Sequence, residues 1–414
     1  MTIGKDGQVR LPSDDMARYV PAGSAVFLQP VEDGLMLHTA RPDARRVYVE
    51  ATTQCNLNCA MCVRQVWRDA PGEMSWETFQ AVIQGLDAFI RPSGAKSKGA
   101  GEPAPKLTPL YRVQYRPLQR VTFGGFGEPL THPRILDMVR QASALGVGVT
   151  MTTNGVQLDR AMARELLAAR VDTIIVSLDS MHVQAYRQAS LAGGADRVLG
   201  NISALSEIVR EQHLMAPRIG LAFVVTRSNL HELERLPELA GSVGASFVLV
   251  SNLLPHTPQM AGETLYDRDE PLPALPGWPV RSGDWLLHGM ARLPRMKWGA
   301  VRHCPFVDDR ALVVGWDGGV SPCYALMHSY PYYIYGRLKN VTRYVLGTVQ
   351  QQSLADIWMS EEYVRFRAKV RDFRFGSCVD CGMACSFAQD NEDCLTNTPS
   401  CADCLWAQDI IRCP

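Results

Sequence analysis

The chain has no run of about 18 uninterrupted apolar residues, so no segment is long enough to cross a bilayer as a helix. Its first residues, Met1-Thr2-Ile3-Gly4-Lys5-Asp6, lack the apolar core of an export signal, and the expected compartment is the cytoplasm. Neither sign of charge is in excess: 42 Lys and Arg balance 42 Asp and Glu. Overall charge therefore gives no reason to expect nucleic acid or a membrane surface as a partner. There is no internal repeat of fixed period and no cysteine before position 55. The twelve cysteines fall in two groups, three at 55–62 and nine between Cys304 and Cys413. Without an export signal, such clusters argue for metal or redox chemistry rather than disulfides. At 414 residues the chain is too long for one compact core and predicts two or three domains.

Residues 1–43 read as a small β module. Gln8–Pro12 and Ala25–Leu28 are short strands, and Asp33-Gly34 is a hairpin turn signal before the strand Leu35–His38. This stretch resembles AbrB/SpoVT-type modules, which dimerise and bind DNA. Here four basic residues (Lys5, Arg10, Arg18, Arg41) face six acidic ones (Asp6, Asp14, Asp15, Glu32, Asp33, Asp43), a net charge of minus two. An acidic balance repels phosphate, which favours homodimerisation or protein docking over DNA. From 45 to 256 strands alternate with amphipathic helices. The strands are Val47–Val49, Arg120–Phe123, Gly148–Thr152, Thr173–Ser177, Leu221–Thr226 and Phe247–Val250; Trp76–Ile90 and Pro133–Leu145 are two of the helices. This alternation predicts an α/β fold with a partial (βα)6 barrel. Between Arg91 and Arg120 a Pro- and Gly-rich stretch holds seven basic residues and one acidic one, Glu102. It is either a solvated insert or a docking loop for an acidic or phosphate-bearing partner. Residues 257–303, rich in Pro and Trp, read as a linker, and 304–414 as a Cys-rich C-terminal domain.

Cys55-Asn56-Leu57-Asn58-Cys59-Ala60-Met61-Cys62 follows directly on the strand Val47–Val49. Three thiolates on one loop can hold three irons of a 4Fe-4S cubane and leave the fourth iron open to a small molecule. The alternative, a zinc knuckle, wants a fourth ligand that is not nearby. A C-x3-C-x2-C loop after the first strand of a βα barrel resembles the signature of radical S-adenosylmethionine (SAM) enzymes; Met61 stands where that family often has an aromatic residue. Gly124-Gly125-Phe126-Gly127-Glu128-Pro129 resembles the family's Gly-Gly-Glu turn, which implies contact with the SAM amino group through Gly124, Gly125 and Glu128. Thr153 and Asn154 after the third strand, and Ser177 and Asp179 after the fourth, resemble positions that bond the SAM ribose or carboxylate. Each of these is also a common turn former. Arg227 could pair with the SAM carboxylate and Leu253 could cover the adenine; a surface Arg and a core Leu are the plainer readings.

The C-terminal region resembles a SPASM domain, which implies two auxiliary 4Fe-4S clusters. Cys304 precedes the Gly318–Cys323 hairpin, and Cys378, Cys381, Cys385, Cys394, Cys401, Cys404 and Cys413 follow. Their spacing departs from the usual run, with an added C-x2-C, so ligands cannot be assigned to clusters. Two cubanes need about eight thiolates and nine are present, which leaves one in excess. The alternative is a zinc ribbon on Cys378, Cys381, Cys401 and Cys404.

The resemblance implies that an electron from a low-potential donor such as ferredoxin or flavodoxin cleaves SAM, and that the resulting 5′-deoxyadenosyl radical abstracts hydrogen from a substrate. Tyr48–Cys55, Arg64–Trp67, Met74–Glu77, Phe123–Pro129 and Pro399–Ala407 further resemble the radical SAM maturases associated with tungsten-cofactor aldehyde oxidoreductases. That resemblance implies a role in maturing a tungstoenzyme or its pterin. Two other classes stay open: radical modification of a ribosomally made peptide, and an iron–sulfur sensor acting on DNA through residues 1–43. No catalytic acid, base or hydrogen donor is assigned; Tyr324, Asp317 and the spare cysteine are candidates.

Overall fold

The computed structural model describes residues 2–3, 9–10, 25–31, 34–40, 42–90, 118–178, 194–266, 291–292, 294–297, 299, 302–334, 336–379, 381 and 389–413. The basic stretch 91–117, Asp179 and Cys385 lie outside them. At the N-terminus, Thr2–Ile3 pairs with Val9–Arg10, and Ala25–Val31 pairs antiparallel with Gly34–Ala40 in the hairpin that Asp33-Gly34 predicts.

Six strands form a parallel run in chain order: β1 (Arg46–Val49), β2 (Arg120–Phe123), β3 (Gly148–Thr153), β4 (Thr173–Ser177), β5 (Arg218–Val225) and β6 (Phe247–Asn252). The run does not end at these strands. A short β7 (Ala291–Arg292), within the stretch read as a linker, adds in parallel outside β6. On the opposite flank β8 (Ala311–Val314) adds in parallel outside β1, with β8 Val313 level with β1 Tyr48. β8 turns through Gly318, at φ +83°, into the antiparallel β9 (Gly319–Ser321). A separate hairpin joins β10 (Tyr330–Ile334) to β11 (Arg337–Val341), and β12 (Gly347–Thr348) closes the main sheet beside β9.

Side-chain alternation gives the sheet two unlike faces. Val47, Val49, Val121, Phe123, Val149, Met151, Ile174 and Val176 point to one side and are fully buried. The helices α1 (Trp76–Ile90), α2 (Ile135–Ala144), α3 (Arg160–Ala168), α4 (Gly194–Glu211) and α5 (Leu236–Ser242) supply the apolar cover; α1 Phe79, for instance, lies 6.2 Å from Phe123. The other face carries Tyr48, Glu50, Thr122, Gly124, Thr150, Thr152, Thr173 and Ser177. A parallel sheet buried only by apolar packing would be hydrophobic on both faces, so this small, polar inner face marks a lined cavity. The C-terminal region closes over its lower part, with Phe306 tilted against Tyr48 at 5.8 Å and Tyr324 meeting it edge-on at 5.0 Å.

That region grips both edges of the barrel. Beside β8 on β1, the chain end returns to β6, where Asn252 Nδ2 donates to the Ile410 carbonyl at 3.1 Å and the Arg412 N–H to Ser251 Oγ at 3.0 Å. On the outside, α6 (Leu354–Met359) packs on α1, and α7 (Glu361–Arg371) packs on α6. Trp358 is 1% exposed, meets Phe89 edge-on at 6.2 Å, and donates to Asp43 Oδ1 at 3.1 Å. One core thus runs from the barrel into the C-terminal helices. Trp358→Ala is expected to lower stability by about 3–5 kcal/mol and to keep a single transition in urea unfolding. A second, separate transition would show that the two parts unfold independently.

Candidate metal and cofactor site

β1 ends at Val49, and the chain then passes through Glu50 and two buried threonines into the cysteine loop. Thr53 and Gly72 fasten the loop's two ends: the Thr53 N–H donates to the Gly72 carbonyl at 2.9 Å, and the Gly72 N–H to Thr53 Oγ1 at 2.7 Å. Inside the loop, the Cys62 N–H donates to the Cys59 carbonyl at 3.0 Å. Cys55, Cys59 and Cys62 are all half-buried. Cys55 Sγ accepts the Leu57 N–H at 3.3 Å and a longer contact from Asn154 Nδ2 at 3.6 Å. Burial pushes the Cys55 thiol up, and the Leu57 N–H opposes it. Three thiols on a tied loop, with N–H donors aimed at one sulfur, fit an iron–sulfur cluster with one iron left open.

Next to this loop lies the Gly124–Gly127 turn that follows β2. The Gly124 N–H donates to the Val49 carbonyl at 3.1 Å, and the Glu128 N–H to the Gln54 carbonyl at 2.7 Å, so the turn is stitched to the loop by backbone bonds. Gly125 has φ +122°, and a Cβ there would lie 2.7 Å from Glu50 Cγ, so both its conformation and its surroundings require glycine.

Glu128 is 2% exposed, and its carboxylate takes donors from its own chain. Oε1 accepts from Thr153 Oγ1 at 2.7 Å and from the Leu130 N–H at 3.0 Å, while Oε2 accepts the Asn154 N–H at 2.6 Å. Burial pushes its carboxyl above the usual range, against the pull of these three donors. These bonds brace the end of β3. Thr153 is committed to the same brace. Asn154 is thereby aimed at the cysteine loop, with Nδ2 2.7 Å from Asn56 Oδ1.

The other predicted cofactor residues are spread along the same rim. Ser177 is exposed at the end of β4, level with Ala222 of β5. Arg227 is exposed beyond β5, its N–H donating to the Glu263 carbonyl at 2.9 Å. Leu253, after β6, is buried, and its carbonyl accepts from Tyr266 at 3.1 Å. Asp317 is paired with Arg343 at 2.7 Å, which holds its carboxyl below the usual range despite partial burial. Tyr324 is buried on the inner face, and burial pushes its phenol well up.

Sequence reasoning missed a buried polar group behind the glycine turn. Glu50 Oε2 lies 2.8 Å from His328 Nε2, and His328 Nδ1 lies 3.1 Å from Asp69 Oδ2. Trp67 stacks on the imidazole at 4.0 Å. The one available signal was the alternation Arg46, Tyr48, Glu50, which puts Glu50 on the inner face of β1; nothing in the sequence links it to His328.

The described C-terminal cysteines separate into two groups. Cys304, Cys323, Cys401, Cys404 and Cys413 lie near one another, Cys323 and Cys401 buried and the other three half-buried. Burial, then the neighbouring thiols, pushes Cys304 up to about 12 and drives Cys323 and Cys401 well up. Burial likewise takes Cys413 to about 12, with Cys404 adding to it and the Trp406 indole N–H opposing it at 2.9 Å from the sulfur. In the other group, Cys378 and Cys394 flank Gly376, where a Cβ would lie 3.7 and 3.2 Å from their sulfurs. Cys381 is exposed. Burial pushes the thiols of Cys378, Cys401 and Cys404 up; Lys339, paired with Asp403, lies near both groups and opposes that rise in part. Packed neutral thiols with no cation gain little from one another, whereas cluster irons turn them into bonded thiolates, so the donor set fits iron–sulfur ligation. Among the described residues, no group of three or more His, Cys, Asp and Glu forms a single-ion site.

The brace on Glu128 makes a direct prediction. Glu128→Ala leaves three buried donors without an acceptor and is expected to cost at least about 2 kcal/mol, with Glu128→Gln costing less because one carbonyl oxygen remains. Urea unfolding of the two variants checks the order.

Comparison with known proteins places this site. Residues 110–239 match the radical SAM superfamily, and residues 304–382 match SPASM, an iron-sulfur cluster-binding domain. A Pyrococcus furiosus protein named tungsten-containing aldehyde ferredoxin oxidoreductase cofactor-modifying protein is 34% identical over 376 residues, covering 89% of this chain and 96% of its own. Mycofactocin maturase MftC of Mycobacterium ulcerans is 28% identical over 247 residues, covering 58% of this chain and 56% of its own. Among solved structures, Streptococcus suis SuiB bound to precursor peptide SuiA shares the fold with a TM-score of 0.50 at 11% identity, over 80% of this chain and 67% of that one. The polar-lined parallel barrel, the three-cysteine loop at the end of β1 and these matches agree: the chain belongs to the radical SAM superfamily and carries a SPASM iron–sulfur domain.

Proposed function

We propose that Cys55, Cys59 and Cys62 hold the SAM-binding 4Fe-4S cluster, and that the enzyme matures a tungstopterin oxidoreductase by modifying its cofactor. The observation that supports this substrate class most directly is 34% identity along 89% of the chain to a protein named for modifying such a cofactor. With cluster and SAM bound, the site supplies a 5′-deoxyadenosyl radical that takes hydrogen from the substrate.

The chain's own residues do the positioning. Asn154 reaches toward Cys55 and the SAM position, and the Gly124–Gly127 turn offers its backbone to the SAM amino acid. Ser177, Arg227 and Leu253 form the remaining rim, and Asp179 is assigned to SAM from its place after Ser177 in the sequence. The buried group of Cys304, Cys323, Cys401, Cys404 and Cys413 serves one auxiliary cluster, and Cys378, Cys381, Cys385 and Cys394 the other. Tyr48, Phe306 and Tyr324 exclude water from the lower part of the cavity. A ferredoxin or flavodoxin supplies electrons, and residues 1–43 serve homodimerisation. A second reading, radical modification of a peptide, draws on the relative named a maturase and on the fold shared with a protein solved with its precursor peptide.

Anaerobic reconstitution followed by reduction with dithionite tests the core reading. The enzyme is expected to hold about twelve irons and to release 5′-deoxyadenosine from SAM. The variant C55A/C59A/C62A is expected to lose about four irons and all deoxyadenosine formation. Retained cleavage in that variant would refute the ligand assignment. Mass spectrometry of pterin and of candidate precursor peptides after turnover separates the two substrate readings.

A further inference from the structure

His328 comes from the C-terminal region, shortly after Cys323, yet its imidazole is enclosed by groups that frame the SAM loop. Its side chain is 1% exposed and that of its partner Glu50 0%. Glu50 precedes the cysteine loop and Asp69 follows it, so this one ring ties together the two ends of the segment that carries Cys55, Cys59 and Cys62. Both ring nitrogens are engaged by carboxylates, so the ring has no free edge. Trp67 stacks on it at 4.0 Å and 21°, and Phe126 meets it edge-on at 5.9 Å, which fixes its plane. Asp69 Oδ2 also accepts the Ser329 N–H at 2.8 Å. The other charged and titratable groups nearby are Arg343, which is bound by Asp317, and the Tyr324 phenol.

The carboxylate that His328 holds is the one that shapes the glycine turn. Glu50 Oε1 accepts the Phe126 N–H at 3.2 Å, and Gly125 rests against the Glu50 stem. We propose that His328 is a positioning residue for SAM: it clamps Glu50 and Asp69, Glu50 sets the Gly124–Gly127 backbone, and SAM affinity in the barrel is thereby set from the C-terminal region. The inference rests on the reading that this turn carries SAM.

The test uses full-length reconstituted enzyme and the variants His328→Gln, Glu50→Gln, their double mutant, and Asn154→Ala. Equilibrium dialysis gives the Kd for SAM, iron content reports the clusters, and initial rates separate KM from kcat. His328→Gln is expected to keep its iron, raise the Kd for SAM by about tenfold and leave kcat at saturating SAM within about twofold of wild type. The double mutant is expected to lose no more affinity than the worse single variant, because both break one clamp. An unchanged Kd at full iron, or a loss of affinity that only tracks lost iron, overturns the proposal. If His328→Gln does not fold, Asp69→Asn, which keeps an oxygen for the Ser329 N–H, decides by the same criteria. Weakened SAM binding in Asn154→Ala with none in His328→Gln removes this inference alone; wild-type binding in both removes the placement of SAM at the turn.

Discussion

β1 lies in mid-sheet, hydrogen-bonded to β2 on one edge and β8 on the other. A strand paired on both edges cannot shift without breaking two ladders, so the loop that leaves it starts from a rigid point. The cysteine loop, Glu50 and the carbonyl that receives Gly124 all take their positions from this short strand. Since β8 belongs to the C-terminal region, the same ladder that places the radical-generating loop also docks the auxiliary iron–sulfur domain beside it.

Around this strand the structure buries two carboxylates, Glu50 and Glu128, almost completely, and each is satisfied differently. Glu128 is neutralised by a ring of neutral donors, two backbone N–H groups and one hydroxyl. These directional bonds fix the end of β3 and the direction of Asn154. Glu50 takes one backbone N–H and one imidazole, which makes its environment depend on a residue from far along the chain. Removing one partner from such a buried pair typically costs roughly 3–5 kcal/mol. The two glutamates thus act on neighbouring parts of the site: Glu128 holds the end of β3, and Glu50 holds the glycine turn.

The C-terminal cysteines follow a different logic. Those among the described residues are all free thiols. Burial pushes the thiols of Cys304, Cys323, Cys401, Cys404 and Cys413 up, and metal binding must displace their protons, so cluster assembly and the final packing of this group are one linked process. Lys339 lies near thiols of both groups, where its charge offsets the negative charge that ligation creates.

Much of the architecture was legible because it rests on local rules. Six strands, the span Trp76–Ile90, the turns at Asp33-Gly34 and Gly318, and the three-cysteine loop follow from periodicity, turn chemistry and short spacings, all of which a linear reading captures. β7 and β8 were not legible: two- and four-residue strands gain their identity from an edge to pair with, and that edge exists only once the barrel has formed. The brace on Glu128 was not legible for a related reason: its motif marks the position, but the donors that fold against it, here Thr153 and Asn154, come from the end of another strand. The Glu50–His328–Asp69 contact spans more than half the chain and leaves no periodic trace, because bonds between distant residues are written in three-dimensional proximity and not in spacing. The chemistry of this protein was therefore set by residue type along the chain, while the partners that aim each group were settled by the packing of the C-terminal region against β1.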